Sequence, residues 1–323
     1  MIGKGKARAH GNIALIKYWG KKDEKKVIPM NSSLSLTLDC FYTDTEVVFN
    51  SDMEKDYFFL NGKLQAKDVT SRISRFLNLF RNAADLNRPA SVKSFNYVPT
   101  AAGLASSASG FAALAAAANV ASGLNLDNRE LSMFARQGSG SATRSIYGGF
   151  VEWQKGVSEK DSYAIPFDDA NWDIGMVVVV VNRKEKAVSS REGMKRTVET
   201  SPFYKEWLES AKKDLEEIKI AIKNRDFEEM GMIAESNGLK MHATMFSANP
   251  PLLYWNPETL LAIQMVDELR TEGISCYFTM DAGPNVKILC RLSQAKLIKE
   301  RLEEKFKSEQ IIVTGPGPGI TVL

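Results

Sequence analysis

One hydroxyl-rich loop and four polar clusters in this 323-residue chain carry the side chains that phosphate and carboxylate chemistry requires. The loop Pro99-Thr100-Ala101-Ala102-Gly103-Leu104-Ala105-Ser106-Ser107-Ala108-Ser109-Gly110 runs straight into an alanine-rich stretch. Gly103 and Ala105 let the backbone approach an anion, and Ser106, Ser107 and Ser109 supply hydroxyl donors. A helix beginning there aims its free N–H groups and positive dipole end at the same spot. The same residues also read as a serine-capped helix with a small-residue packing face. Asn12 followed by Lys17-Tyr18-Trp19-Gly20-Lys21-Lys22 offers three lysines and a tyrosine to a phosphate or carboxylate; it also reads as a solvated turn. The run Arg136 to Arg144, with Gly138, Ser139, Gly140 and Ser141 inside it, makes either an anion nest with a bidentate arginine or a flexible loop. The run Lys184 to Arg191 combines lysines, hydroxyls and an arginine, and is otherwise an exposed linker. Asp281-Ala282-Gly283-Pro284-Asn285 puts a carboxylate at a strand end, as a base, a substrate orienter or a simple turn former. Together these features point to phosphoryl transfer from a nucleotide to a small anionic alcohol. No GxxxxGK[ST] pattern is present, which excludes a P-loop kinase.

Composition narrows the classes further. The length fits two domains, and 44% hydrophobic with 25% charged residues is ordinary for a globular enzyme. The net charge is only +3 and the basic residues are dispersed, so no nucleic-acid partner is expected. Cys40, Cys276 and Cys290 are far apart with no CxxC pair, which argues against disulfides and zinc and for reduced, buried thiols. His10 and His242 are the only histidines, too few for a histidine-rich metal centre, and both read as structural. The longest apolar run, Phe111 to Ala118, is far short of the ~18–20 residues of a membrane span. No apolar secretory core follows the basic N-terminus, so a cytoplasmic, membrane-free protein is expected.

These side chains need elements to position them. Residues 7–20 read as an extended segment, and Leu34, Leu36 and Leu38 alternate with Ser35 and Thr37 as a half-buried strand. Thr45 to Asn50 and Asp56 to Leu60 give further strands, with a hairpin turn at Asn61-Gly62. Val69, Ile73, Phe76, Leu77 and Phe80 predict a helix over 69–85. Ala90 to Tyr97 predicts the strand feeding the hydroxyl-rich loop. Helices follow at about 106–122 and 128–136, and a strand begins at Gly148. Met176 to Val181 is a buried strand. A polar segment, 182–193, precedes helices near 202–224 and 226–238. Pro257 opens a helix to about Thr271, and strands at 276–280 and 286–290 flank Asp281. A helix at 294–306, a strand at 311–314, a Gly-Pro tail and a short last strand complete the chain. The expected fold class is α+β, with domains 1–183 and 184–323, the second an antiparallel sheet backed by helices and the final strand returning to the first.

The motifs carry a specific resemblance. The loop resembles the PxxxGLxSSA motif of the small-molecule kinase superfamily that includes galactokinase, homoserine kinase and mevalonate kinase. NIALIKYWGK at 12–21, NSSLSLTL at 31–38, PTAAGLASSASG at 99–110, RQGSGSATRSIYGGFVEW at 136–153, VSSREGM at 188–194, MHATMFSANPP at 241–251 and MDAGPNVKIL at 280–289 resemble the diphosphomevalonate decarboxylase family. The resemblance implies an N-terminal domain like ribosomal protein S5 domain 2, a C-terminal ferredoxin-like α/β sandwich, and a site in the cleft between them. It implies ATP- and Mg²⁺-dependent conversion of mevalonate 5-diphosphate to isopentenyl diphosphate, ADP, phosphate and CO₂ by a cytoplasmic homodimer. Asp281 then matches the family's essential aspartate, and Lys186 a lysine near the γ-phosphate. Pro99, Gly103, Leu104, Ala105, Ser106 and Ser107 would hold the ATP phosphates. Ser94 and Asn96, on the strand before them, are candidates toward adenine. Tyr18, Lys21, Ser139, Gly140, Ser141 and Arg191 would grip the substrate diphosphate. Arg144 and Ser190 would fix its carboxylate and hydroxyl region, supported by Asn12. The metal ligands stay open. The alternatives are a kinase that stops before decarboxylation, a decarboxylase of the monophosphate, and a non-catalytic binding module.

Overall fold

The computed structural model describes residues 3–97, 106–181 and 188–323. The chain begins with β1 (Lys4–Ile16), a small hairpin of β2 (Lys21–Asp23) and β3 (Ile28–Pro29), and β4 (Ser33–Phe49). The strands expected at 34–38 and 45–50 are therefore one continuous strand. Its length follows from its partner: β1 pairs antiparallel along it from Lys4↔Val48 to Ile16↔Leu34, with register shifts after His10 and Ala14. The hairpin β5 (Tyr57–Leu60) and β6 (Lys63–Leu64) forms where Asn61-Gly62 predicts it, with Asn61 at φ +49°. Next come α1 (Lys67–Ala83), β7 (Ala90–Asn96), α2 (Ser106–Ser122) and α3 (Asn128–Gly138), then a 3₁₀ turn over Gly140–Ile146. The strands β8 (Phe150–Trp153) and β9 (Ala164–Asp168) extend the first sheet through pairing of β8 with β4.

The alanines of α2 explain how this half closes. Ala112, Ala113, Ala115, Ala116, Ala117, Ala118 and Ala121 are all buried, packed with Ala7, Ala9 and Val47 of the sheet. Small side chains let the helix lie close on β1: a Cβ on Gly5 would overlap the Ala117 carbonyl. That fixes the N-terminus of α2, which Ser106 begins, relative to the sheet.

The second half is built on β10 (Gly175–Val179). After it come α4 (Ser190–Thr200), α5 (Tyr204–Lys223), α6 (Phe227–Phe246) and α7 (Pro257–Thr271). They are followed by β11 (Cys276–Thr279), β12 (Val286–Cys290), α8 (Ala295–Leu302) and β13 (Ile311–Thr314). The sheet order is β11-β12-β10-β13, all antiparallel, with α7 and α8 as crossovers: a ferredoxin-like βαββαβ unit with α4 to α6 inserted after its first strand. Both faces are covered, which is why β10 is apolar at every position. Val177 and Val179 pack under α7 and α8, while Met176 and Val178 face α5 and α6. The division expected at 183/184 leaves β10 in the first half, yet it pairs wholly within the second sheet.

The helix α4 begins within the segment the sequence marks as polar and runs beyond it; Gly193 and Thr197 are its buried residues and Met194 and Val198 pack beside them, a side too weakly apolar to read. The helix α6 continues past 238 to Phe246, because Met241, His242 and Met245 have a buried side to pack. The tail after β13 crosses back. Gly317 N–H donates to the Thr37 carbonyl (2.8 Å), and β14 (Thr321–Val322) pairs with β1 at Ala7 and Arg8. One core joins the halves, with Ile13, Leu15, Leu34 and Leu36 in contact with Met176, Leu215, Ile218, Met230 and Ile233. No helix among the described residues is long and apolar enough to cross a membrane.

Candidate active site

The end of β1 is held from all sides. The Lys17 N–H donates to Asn237 Oδ1 (2.9 Å), Asn31 Nδ2 donates to the Lys17 carbonyl (2.8 Å), and the Tyr204 hydroxyl donates to the Trp19 carbonyl (2.6 Å). Gly20 adopts φ +109°, and a Cβ there would run into the Tyr204 hydroxyl. This framework opens a cavity of about 580 Å³ lined by both halves of the molecule. Asn12, Tyr18, Lys21, Ser106, Ser107, Ser139, Gly140, Ser141, Arg144, Ser190, Arg191 and Asp281 all line it.

Asp281 follows β11, at the floor of this cavity. Lys17 Nζ donates to its Oδ1 (2.9 Å), and Lys287 Nζ lies 3.5 Å from its Oδ2. Both ammonium groups are 1% exposed, whereas the aspartate side chain is 31% exposed. Lys17 Nζ also donates to the Ala14 carbonyl (2.8 Å) and Lys287 Nζ to the Asn285 carbonyl (3.1 Å). Burial, opposed by the Asp281 charge, pushes Lys17 down to about 8. The result is a carboxylate oriented by two buried ammonium groups while one side stays accessible.

Arg144 sits in the 3₁₀ turn and is fully buried. Its Nη1 donates to Ser33 Oγ (2.6 Å) and its Nε to Asn12 Oδ1 (3.3 Å). Asn12 is itself fixed by donating to Ser145 Oγ (2.7 Å) and the Ser141 carbonyl (3.0 Å). Burial pushes Arg144 down to about 10, still a cation at neutral pH. Above it, Tyr18 packs on Trp153 with ring centroids 4.7 Å apart. Gly140 leaves room for that ring, since a Cβ would come within 2.8 Å of Tyr18 Cε1. The Tyr18 hydroxyl is buried with no hydrogen-bond partner among the described residues, and burial raises its pKa far above the ordinary 10.0. Ser139 Oγ is 3.3 Å from both Ser107 Oγ and Ser141 Oγ, which ties the start of α2 to the 3₁₀ turn. Lys21 lines the rim and pairs with Glu24 (2.6 Å).

Pro99, Gly103, Leu104, Ala105 and Lys186 lie outside the described residues. Ser94 and Asn96 do not line the cavity: Ser94 Oγ is 2.8 Å from Thr45 Oγ1, and Asn96 Oδ1 accepts from Thr43 Oγ1 (2.9 Å). Sequence reasoning left out Lys287, gave Lys17 no individual role, and passed over Arg72, which reaches the cavity from α1 and donates to the Gly138 carbonyl (3.3 Å). A signal existed for the lysines. Each interrupts an apolar strand pattern, IALIK and VKILC, where an unpaired charge is rarely tolerated. Both histidines are structural, as expected. His10 Nδ1 faces the Leu38 and Asp39 carbonyls, and His242 Nδ1 accepts from Trp255 Nε1 (3.0 Å). Burial pushes His242 down to about 3, so it is neutral. All three cysteines are free; Cys276 and Cys290 are buried, but Cys40 is exposed.

The comparisons agree with this geometry. The model described as diphosphomevalonate decarboxylase-like N-terminal domain matches residues 9–164, and that described as mevalonate 5-diphosphate decarboxylase C-terminal domain matches 176–315. The Homo sapiens diphosphomevalonate decarboxylase is 38% identical over 301 residues, 86% of this chain and 74% of that protein. The solved mevalonate diphosphate decarboxylase from Enterococcus faecalis superposes with a TM-score of 0.95 at 53% identity, covering 100% of this chain and 99% of that one. A structure described as MDDEF in complex with MVAPP, AMPPCP and magnesium gives 0.95 at 54% identity, with the same coverage. With models of both halves matched and curated relatives above 30% identity along most of its length, the chain belongs to the diphosphomevalonate decarboxylase family.

Proposed function

We propose that the protein converts mevalonate 5-diphosphate and ATP to isopentenyl diphosphate, ADP, phosphate and CO₂. The observation that carries this reading is Asp281, gripped by Lys17 and Lys287, facing a cavity that also holds Arg144 and a rim of anion-binding groups. Asp281 orients the tertiary 3-hydroxyl toward the γ-phosphate and takes its proton. An ionised carboxylate is too weak a base to deprotonate a free alcohol. The transfer therefore falls late in a loose transition state, where positioning does most of the work. Ser106 and Ser107, at the start of α2, face the ATP phosphates together with residues 99–105, and Lys186 neutralises charge at the γ-phosphate. Tyr18, Lys21, Ser139, Gly140, Ser141 and Arg191 bind the diphosphate; the buried, unpartnered Tyr18 hydroxyl supports its place in that set.

The donor set fits magnesium. The described residues contain no group of three acidic, histidine or cysteine side chains that could cage a metal, and Mg²⁺ usually relies on substrate phosphates. Ser106 and Ser107, with the nucleotide's own oxygens, would hold it, and it would neutralise phosphate charge.

Phosphorylation makes the 3-oxygen a leaving group. Its departure leaves positive charge on the tertiary carbon, and the C–C bond to the carboxylate supplies the electron pair of the new double bond as CO₂ leaves. Arg144, with Ser190 and Asn12, holds that carboxylate. Its Ser33 and Asn12 bonds keep the guanidinium from following the charge as it disappears. We further propose a domain division between residues 168 and 175, Ser94 and Asn96 bordering the adenine, a homodimer, and a cytoplasmic setting, where unpaired thiols persist.

The test is to supply ATP, Mg²⁺ and mevalonate 5-diphosphate and follow ADP and CO₂ together. One of each per turnover is expected. ADP without CO₂ would mean a kinase, and neither product a binding module. Asp281→Asn should lower turnover by about 10³-fold or more while nucleotide still binds; near-normal turnover would remove Asp281 from its role.

A further inference from the structure

We propose that Lys287 is a positioning residue for this reaction: from within β12 it holds the second oxygen of the Asp281 carboxylate in the orientation that receives the substrate hydroxyl. The inference rests on the reading of Asp281 given above.

The sheet itself has no use for this charge. Lys287 lies between Val286 and Ile288, both fully buried, and its register partners are Val178 on β10 and Thr279 on β11. An ammonium there forfeits its hydration, and an apolar side chain of similar length would fill the space without that cost. What the charge meets is Asp281 Oδ2 at 3.5 Å and the Asn285 carbonyl at 3.1 Å. Asn285 is anchored in turn, accepting from the Val181 N–H through its side chain (2.9 Å). Lys287 therefore sits on a fixed base in the sheet whose β11–β12 loop carries the aspartate.

Lys17 holds the other oxygen from the first sheet. It stands at the end of β1, where its N–H donates to Asn237 of α6, and its Nζ donates to Oδ1 at 2.9 Å. Among the described residues, the charged and titratable groups acting on the carboxylate include Lys17 from β1, Lys287 from β12, Arg144 from the 3₁₀ turn and neutral His242 from α6. Removing Lys287 deletes one of these cations, which makes the carboxylate easier to protonate.

Lys287→Met and Lys287→Gln in the full-length protein test this. The expected result is a roughly 100-fold loss in kcat, the size of effect small misplacements produce. Michaelis constants for ATP and mevalonate 5-diphosphate should stay within about threefold, since Lys287 touches neither. The melting temperature should be unchanged or higher, and the acid limb of kcat/KM should move about one unit to higher pH. A kcat within threefold of wild type, or an unmoved acid limb, overturns the proposal. So does failure of both variants to fold, which would assign the ammonium to the sheet. Asp281→Asn separates the two levels. If it abolishes turnover while the Lys287 variants are silent, only this inference falls; if it is itself active, the reading of Asp281 falls with it.

Discussion

Lys17 illustrates how a buried charge can set activity and stability against each other. Its pKa lies near 8 rather than the ordinary 10.5, because burial outweighs the attraction of Asp281. Below about pH 8 it is charged and holds Oδ1, so turnover should fall as pH rises through that value. Its contribution to stability has the opposite sign. The folded state bears the desolvated charge at low pH, and that penalty fades as pH rises from about 8 to 10.5, where the unfolded chain still carries the extra proton. The melting temperature of wild type minus that of Lys17→Met should therefore rise over this interval. A flat difference would show that Lys17 titrates elsewhere. Arg144 makes a second case. Arg144→Lys keeps the charge but cannot reach Ser33 and Asn12 together, so turnover should drop by about 10²-fold with a smaller change in substrate KM. An equal loss in both would mean the arginine only binds. These residues differ in how plainly the sequence showed them. Asp281 and Arg144 stand among glycines and serines, where a charge has no packing role to mask it. Lys287 stands inside an apolar strand, and only the carboxylate beside it in space explains it.

Elements, rather than single side chains, decide where the rim groups point. The helix α3 has a capping box at its start, Asp127 with Glu130, and ends where Gly138 meets the Phe111 ring; the chain then turns through Ser139 to Ile146. That turn delivers Ser139, Ser141 and Arg144 to one wall. Gly140→Ala pushes its methyl into Tyr18 and Trp153, at 2.8 and 3.0 Å. We expect a loss of about 1–3 kcal/mol in stability and a raised KM for the diphosphate, because Tyr18 must move. Denaturant melts and initial rates check both, and a silent variant would show that the Tyr18 ring is free to shift. Elements with a strong local signal were legible: α1 from its periodicity, α2 from its unbroken alanine run, α7 from Pro257 at its start, and the strands on either side of Asp281 from their apolar residues. The helix α4 was hidden because its packed side is made of Gly193, Met194, Thr197 and Val198, two of them not apolar enough to mark a stripe. β9 was hidden by Pro166 in a short strand that only its pairing with β8 sustains. Long-range pairing also merged two expected strands into β4, which local alternation cannot reveal.

At the scale of the molecule, the halves share one core. Ile13, Leu15 and Leu36 pack with Met230 and Ile233, and the tail ties β13 back to the first sheet. Heating should therefore give a single calorimetric transition with van't Hoff and calorimetric enthalpies equal; two resolved transitions would refute the shared core. Removing residues 316–323 deletes the Thr37–Gly317 and β1–β14 bonds. It should lower the melting temperature by a few degrees, on the order of 1.5 °C per kcal/mol lost for a cooperative unit of this size.

The same tail sets an order in time. Arg8 and Thr321 are register partners, yet Arg8 is synthesised 313 residues ahead of Thr321. At roughly 5–20 residues per second, β1 waits tens of seconds for the strand that covers its edge. Until then a nascent chain displays an unpaired sheet edge, the surface on which chaperones or a neighbouring chain can act. In a chain assembled from its N-terminus, β1 is complete only when β14 arrives.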